Sequence, residues 1–503
     1  MAKKKSDNTA EIGFEEQIWS AADKLRGNID ASEYKNVVLG LIFLKYISDK
    51  FEARYAELVE EGEGFEEDRD EYTAENIFFV SENARWNAIA KAAHTPEIGK
   101  VIDAAMRSIE EQNDKLKNIL PKNFARQELD KRRLGEVVDL FTNVKMAKKG
   151  DTRDILGRTY EYCLSKFAEA EGKNAGEFYT PACIVKTLVE IIEPYHGRVY
   201  DPCCGSGGMF VQSAQFVQRH QGNIDDLSIY GQESNPTTWK MATMNLAIRG
   251  IDADLGTQNA DTFFNDLHRC EKFDFILANP PFNMKDWGGD KLREDARWEF
   301  GVPPVGNANF AWVQHMISHL NRTGRMGMVL ANGSLSSQTN NEGEIRKNII
   351  EADLLEGVVA MPSQLFYSTQ IPVCLWIIAK DKPQKGKTLF VDAREMGQMV
   401  SRKLREFTDE DIAKVAGAFN DFRAGNLEEE KGFCSIATLE DIAEQDYIIT
   451  PGRYVGIADL PEDEEPFEEK MGRLTAEIKT CFEESNNLQE QIKKNLEALG
   501  YEL

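Results

Sequence analysis

Asn279-Pro280-Pro281-Phe282, at the end of the apolar run Phe273 to Ala278, is the segment of this chain best suited to act on a substrate. Two adjacent prolines after a buried strand stiffen its exit, because each fixes φ and lacks an N–H. Pro281 also restricts the residue before it. The Asn279 side-chain carbonyl and the Pro280 main-chain carbonyl can then point at one place as two acceptors, and an amino group with two hydrogens fits them. A conjugated amino group, such as the exocyclic nitrogen of adenine, gives its lone pair to the ring and is a weak nucleophile. Acceptors holding both hydrogens favour the pyramidal state in which the lone pair is free, through orientation and electrostatic preorganisation. This chemistry needs neither a metal nor a covalent intermediate. Phe282 offers a flat face for a base taken out of a duplex, where an enzyme pocket can reach it.

A donor for such a nitrogen is suggested upstream. Val199-Tyr200-Asp201-Pro202-Cys203-Cys204-Gly205-Ser206-Gly207-Gly208-Met209-Phe210 reads as a strand, a tight glycine turn and a helix start. Glycines permit positive φ and let a ligand approach without a Cβ in the way. The unpaired N–H groups of the helix start can face a carboxylate, here the methionine carboxylate of S-adenosylmethionine. Asp201, at the strand end, is placed to accept from its ammonium. Glu233 closes Ile229-Tyr230-Gly231-Gln232-Glu233, the second strand, where a carboxylate can accept both ribose hydroxyls of any adenosine-containing cofactor. Asp261 is placed to accept from the adenine amino group. A dinucleotide fingerprint would be G-x-G-x-x-G with an acidic residue about twenty positions on; the glycines here run Gly205-Ser206-Gly207-Gly208.

These segments need a scaffold that places strand ends side by side. Short apolar runs alternate with helical stretches at 198–200, 228–231, 273–278, 326–330, 357–360, 373–378 and 388–391. The expectation is an α/β, Rossmann-like S-adenosylmethionine-dependent methyltransferase domain over 171–395, with a central, mostly parallel sheet and ligands at the carboxyl ends of its strands. Residues 1–170 read as an all-helical domain: Trp19, Ala22 and Leu25 have helix spacing, Tyr34 to Ile47 is a buried helix, and Arg153 to Ala168 continues the pattern. A short apolar piece at Ile77 to Val80 is the one strand candidate there, and Glu60 to Glu71 reads as an acidic loop. Residues 396–460 read as a helical extension, opened by a capping box at Thr408 and Asp411. Residues 461–503 form an acidic linker and then an amphipathic helix or helical pair, with Leu474, Ile478 and Phe482 and later Leu488, Ile492 and Leu496 at four-residue spacing. That tail either folds back on its own domain or docks on a partner subunit.

Composition excludes several classes. With 42% hydrophobic and 29% charged residues, 503 residues can fill at least one large core. The eight cysteines lack a disulfide framework or zinc spacing, which fits a reducing cytoplasm. The N-terminal stretch lacks a secretory core, and the most apolar run, Val37 to Ile47, is too short to span a bilayer. His315 and His319 share a helix face, but their segment brings no acidic or cysteine ligand, so no metal site is expected. No G-x-x-x-x-G-K-[ST] loop is present for helicase work. A net charge of −25 opposes phosphate binding. Lys3 to Lys5, the stretch with Lys115, Lys117, Lys122, Arg126, Lys131, Arg132 and Arg133, and the loop with Lys285, Lys291, Arg293 and Arg297 could form local basic patches. A partner is expected to supply most of the grip on DNA.

Taken together, the chain resembles the modification (methylation) subunits of type I restriction-modification systems, an N6-adenine DNA methyltransferase family. Gly176-Glu177-Phe178-Tyr179-Thr180-Pro181, Asp201 to Gly208, Glu233 and Asn279 to Phe282 carry the resemblance. Gly306-Asn307-Ala308-Asn309-Phe310 with Trp312 and the stretch Tyr447 to Tyr454, with Pro451 and Arg453, are also similar. The order of segments resembles the gamma arrangement of amino-methyltransferases. The resemblance implies that Glu177, Phe178, Tyr179, Thr180, Pro181, Ala182, Ser206, Gly207, Gly208 and Glu233 contact S-adenosylmethionine. It also implies a second copy of the methylation subunit, a DNA specificity subunit that reads double-stranded DNA, and a restriction subunit in the full complex. Cys203-Cys204 stands where related chains vary, and small buried side chains explain both. The two-acceptor logic itself also admits N4 of cytosine or a protein glutamine amide.

Overall fold

The computed structural model describes residues 12–23, 25, 31–143, 152–171, 179–366, 371–402, 404–457 and 467–498. Residues 1–456 form one compact unit and residues 457–503 a second.

The first unit is built on a nine-stranded sheet. Its strands are β1 (Gly197–Asp201), β2 (Leu227–Gly231), β3 (Ala253–Asp254), β4 (Phe273–Ala278), β5 (Leu320–Ala331), β6 (Leu355–Ala360), β7 (Val373–Ala379), β8 (Lys387–Asp392) and, after the short hairpin β9 (Gln398–Met399) and β10 (Arg405–Glu406), β11 (Cys434–Thr438). The order is β11-β8-β6-β7-β5-β4-β1-β2-β3. Five neighbouring pairs are parallel, and the pairs β5/β7, β6/β7 and β8/β11 are antiparallel. Every expected run forms a strand. From β1 the chain first steps outward through β2 and β3 and then returns to β4 on the other side. The crevice at such a reversal is where open sheets bind ligands. Asp201 ends β1, and Asn279 follows the last residue of β4.

The sheet is covered on both faces, which is why its central strands read as unbroken apolar runs. In β7 all seven residues are buried: Val373, Leu375 and Ile377 join one core, Cys374, Trp376 and Ile378 the other. The first core is continuous with the N-terminal helices, including the 31-residue helix Ala31–Glu61 and helix Thr152–Glu171. The helical region is therefore fused to one face of the catalytic sheet. Glu356, on β6 and fully buried, holds this face together. It accepts from Arg325 of β5 (3.0 Å) and from Arg423 of helix Asp409–Ala424 (2.9 Å), and Arg423 also donates to the carbonyl of Ile191.

Three sequence expectations need correction. Ile77 to Val80 belongs to no helix and no strand. The amide of Asn113 takes the partner strand's place, accepting from the Phe79 N–H and donating to the Phe79 carbonyl, both at 2.9 Å. Residues 396–460 are not purely helical, because β11 extends the main sheet beside β8. β2 stops at Gly231, so Glu233 lies two residues beyond the strand. The capping box forms as expected: Thr408 Oγ1 accepts from the Asp411 N–H, and the Asp411 carboxylate from the Thr408 N–H.

In the second unit, Phe467–Ala498 is one continuous helix rather than a pair. Met471, Leu474, Ile478, Phe482, Leu488 and Ile492 form its exposed apolar stripe.

Candidate active site

The turn after β1 is shaped by its glycines: Gly205 and Gly207 have φ of 55° and 82°, the left-handed region that side chains avoid. Gly207 is the N-cap of helix Gly208–Arg219 and brings no capping side chain, so the first N–H groups of that helix lack an intrahelical partner. A Cβ at Gly208 would meet nothing within 4 Å, so the helix start is open on that side.

The loop is braced from behind. The Asn245 amide donates to the Ser206 carbonyl at 2.7 Å, and Arg249 in turn donates to Asn245 Oδ1 and to the Gly157 carbonyl at 2.7 Å. Gln232 receives the Cys204 N–H on its carbonyl and donates its own N–H to the Asp201 carbonyl. Glu233 Oε2 accepts from the Gly205 N–H at 3.1 Å, and its other oxygen accepts from the Asn235 N–H at 2.8 Å. Burial raises the Glu233 pKa, and these N–H donors partly oppose the rise. Asp201 is 2% exposed and accepts from the Cys203 N–H at 3.0 Å. Burial pushes its carboxyl up to about 7.

Opposite the glycine loop stands the exit of β4. Asn279 donates through Nδ2 to Thr180 Oγ1 at 2.9 Å. Its Oδ1 is buried and has no protein partner. Pro280 is buried, and Pro281 is exposed. Phe282 is half-buried and stands edge-on to Phe366, with ring centroids 5.8 Å apart. Asn309, near the start of helix Asn309–His319, clamps the residue after Phe282: its amide accepts from the Asn283 N–H and donates to Asn283 Oδ1, both at 3.0 Å.

One pocket gathers Tyr179, Thr180, Asp201, Gly205, Ser206, Gly208 and Asn279 from the expected set, together with Cys203, Cys204 and Met209. Its volume is about 30 Å³, and Glu233 and Asp261 lie outside its lining. A larger cavity, about 670 Å³, lies elsewhere, between the helical region and helix Pro236–Ile248; it holds none of the expected site residues. Asn279 and the glycine turn meet in the small pocket. Pro181 caps helix Ala182–Ile192, whose first residue, Ala182, is exposed. Glu177 and Phe178 lie outside the described residues. Asp261 is exposed and turned to local work, with Oδ1 accepting from the N–H groups of Phe263 and Phe264. Cys203 is half-buried and lines the pocket, whereas Cys204 is buried.

His315 and His319 do have an acidic neighbour, Asp266, supplied by a distant segment. His319 Nε2 is 3.0 Å from Asp266 Oδ2, and the three side chains present ligand atoms within 4.8 Å of one another. Arg297 donates to His315 Nδ1 at 3.1 Å and also holds Asp295 and the carbonyls of Thr262 and Phe263. Burial holds the His315 pKa well below its ordinary value. A guanidinium against a neutral imidazole disfavours a cation there.

The basic patches also sort themselves. Lys122 pairs with Glu110, Lys115 with Asp252, Arg132 with Glu136 and Arg133 with Asp130, while Lys131 donates to main-chain carbonyls. Lys285, Lys291 and Arg293 are exposed in the loop after Phe282. No helix among the described residues is long and apolar enough to cross a membrane.

A reversing sheet with a glycine turn after β1 and an acceptor-bearing Asn-Pro-Pro-Phe exit after β4 defines an S-adenosylmethionine-dependent amino-methyltransferase. Residues 151–463 match the N-6 DNA methylase family, and residues 14–141 match the HsdM N-terminal domain. The chain is 49% identical to the HindI type I restriction enzyme methylase subunit of Haemophilus influenzae over 441 residues, covering 84% of this chain and 99% of that one. It is 39% identical to the MjaIX methylase subunit of Methanocaldococcus jannaschii over 515 residues, covering 97% and 92%. The crystal structure of a type I methyltransferase subunit from Streptococcus thermophilus superposes with a TM-score of 0.75 at 26% identity, covering 88% and 99%. The chain belongs to the family of type I restriction-modification methylase subunits, S-adenosylmethionine-dependent enzymes that methylate N6 of adenine in DNA.

Proposed function

We propose that Asn279 Oδ1 and the Pro280 carbonyl accept the two N6 hydrogens of the target adenine, while Asp201 and the glycine turn hold the amino-acid end of S-adenosylmethionine. The observation that carries this reading is the buried, unpartnered Asn279 Oδ1 in the pocket that also holds Asp201 and Gly208. A buried acceptor without a partner is costly, and an incoming N–H relieves that cost. When bound, S-adenosylmethionine supplies an electrophilic methyl group on a sulfonium. The free N–H groups of Gly208 and Met209 receive its carboxylate, Asp201 accepts from its ammonium, and Ser206 and Tyr179 line the wall between them. Glu233 accepts the ribose hydroxyls on lone pairs left over from Gly205 and Asn235, and Asp261 turns its remaining oxygen to the adenine amino group. Tyr179, Thr180, Pro181 and Ala182 close the pocket, and the family resemblance adds Glu177 and Phe178 as donor contacts. Asn279 and Pro280 orient the nucleophilic nitrogen in line with the methyl group. Phe282 stacks on the extruded base, with Phe366 setting its tilt. The proton released from nitrogen leaves to water after transfer.

Sequence reading falls to partners: a DNA specificity subunit, a second methylation subunit and, in the full complex, a restriction subunit. The net charge of −25 and the internal pairing of the Lys115 to Arg133 region support this division, as does the exposed stripe of helix Phe467–Ala498, a surface suited to docking. Lys285, Lys291 and Arg293 would touch phosphates beside the flipped base. Eight free thiols are in keeping with a reducing cytoplasm.

The test is Asn279→Ala in the complex with the specificity subunit, using labelled donor and duplex DNA. Donor binding should persist, while transfer to N6-methyladenosine falls by at least about a hundredfold, the scale for losing a preorganised group at the reacting atom. Wild-type transfer by the variant, or label appearing in N4-methylcytosine, would overturn the reading.

A further inference from the structure

Oxygen and nitrogen of an amide are nearly isosteric, so Asn279 presents an acceptor to the substrate in only one of its two flips. In that flip Nδ2 needs an acceptor behind it. Nδ2 of Asn279 donates to Thr180 Oγ1 at 2.9 Å across 99 residues of sequence, and this contact leaves Oδ1 turned away from Thr180, buried and unpartnered.

Both ends of the contact are unusually rigid for the same reason. Thr180 precedes Pro181 and Asn279 precedes Pro280, and a residue before proline is confined to extended backbone. Pro181 is itself buried, with φ −53°, and its carbonyl receives the N–H groups of Ile184 and Val185, the start of helix Ala182–Ile192. Threonine is β-branched, so its χ1 has few choices. A stiff hydroxyl on a fixed backbone thus faces a stiff amide on another.

We infer that Thr180 is the positioning residue of this reaction: when Oδ1 faces the transferring nitrogen, the Thr180 hydroxyl accepts from Asn279 Nδ2 and so holds the amide in place. The inference rests on the acceptor role proposed for Asn279. It gives Thr180 a task in the transfer step that is separate from contact with the donor. Valine has the shape of threonine without the hydroxyl, and serine keeps the hydroxyl on a looser side chain.

Thr180→Val and Thr180→Ser are compared with wild type as the full complex with the specificity subunit, at saturating S-adenosylmethionine and duplex DNA, under single turnover. One neutral hydrogen bond holds the amide, so the valine variant should transfer about tenfold more slowly. Its dissociation constant for S-adenosylmethionine, measured by calorimetry, should change less than about threefold, and serine should restore most of the rate. The second readout needs no donor. With asparagine labelled in ¹⁵N, the side-chain NH₂ resonance of Asn279, assigned by its loss in Asn279→Gln, should move in the valine variant and hold in the serine variant. A resonance that ignores Thr180→Val, or a rate loss matched by an equal loss of donor affinity, would overturn the positioning role while leaving Asn279 as acceptor. Full activity of Asn279→Ala would sink both.

Discussion

Replacing Asp201 by asparagine should remove the acid limb of donor binding. Asp201 is 2% exposed at the end of β1. Burial pushes its carboxyl up to about 7; the Cys203 N–H opposes this, and the nearby Glu233 carboxylate adds to it. Only the ionised form accepts from the donor ammonium. Wild-type affinity should therefore fall about twofold at pH 7 and about tenfold at pH 6, relative to full ionisation. The donor ammonium is an α-amino group, which loses its proton at about 7.7–8.0, so affinity should be greatest between about pH 7 and 8. Titration calorimetry over this range, in two buffers of different ionisation heat, reads both the affinity and the proton released by Asp201. Asp201→Asn should lose the acid limb and, having exchanged a charged acceptor for a neutral one, bind roughly tenfold more weakly near pH 7.5. Stability gives an independent check. The native carboxyl holds its proton more tightly than the unfolded chain does. Its contribution is therefore full below about pH 4 and lost as pH rises through about 7, on the order of 4 kcal/mol for a shift from 3.8 to about 7. The variant should gain thermal stability over wild type across that window. Wild-type affinity that stays flat from about pH 5.5 to 7.5, or an acid limb retained in the variant, would refute the assignment.

Two further predictions concern the scaffold. Arg423→Met leaves buried Glu356 with Arg325 as its one remaining cation, and urea unfolding at pH 7 should show a loss of about 3–5 kcal/mol. The two arginines outweigh burial and hold the Glu356 pKa below its ordinary value. Its stabilising contribution is therefore lost as pH falls through that lowered pKa, and the gap between variant and wild type should narrow there. Asn113→Leu strips both Phe79 main-chain groups of their partners and should cost about 2–4 kcal/mol. Hydrogen exchange at the Phe79 amide should accelerate; an unchanged rate would mean that Asn113 does not hold that segment.

Much of the sheet was legible because strands covered on both faces must be apolar throughout, as Val373 to Ile378 is. The direction of β7, inserted antiparallel between β5 and β6, was not, since a buried run looks the same in either sense. β11 escaped because Ser435 and Ile436 are only half-buried at the edge of the sheet. At the site, Asn279, Asp201 and the glycines announce themselves by local backbone demands. Contacts made across the fold leave no such mark. Thr180 meets Asn279 from 99 residues away, Asp266 reaches His319 from another segment, and Asn309 clamps Asn283. Asp261 shows the converse: its type and position suit a ligand, yet its Oδ1 is engaged by the turn it closes.

The brace behind the glycine turn bears on how divisible the enzyme is. Ser206 is held by Asn245, Asn245 by Arg249, and Arg249 by the Gly157 carbonyl and the Glu161 carboxylate of helix Thr152–Glu171. A fragment cut just after helix Thr152–Glu171 would keep every strand and every sequence signature, yet its Arg249 would have lost the anchors that set it. The seam between the two regions thus runs directly behind the glycine turn, the proposed donor site.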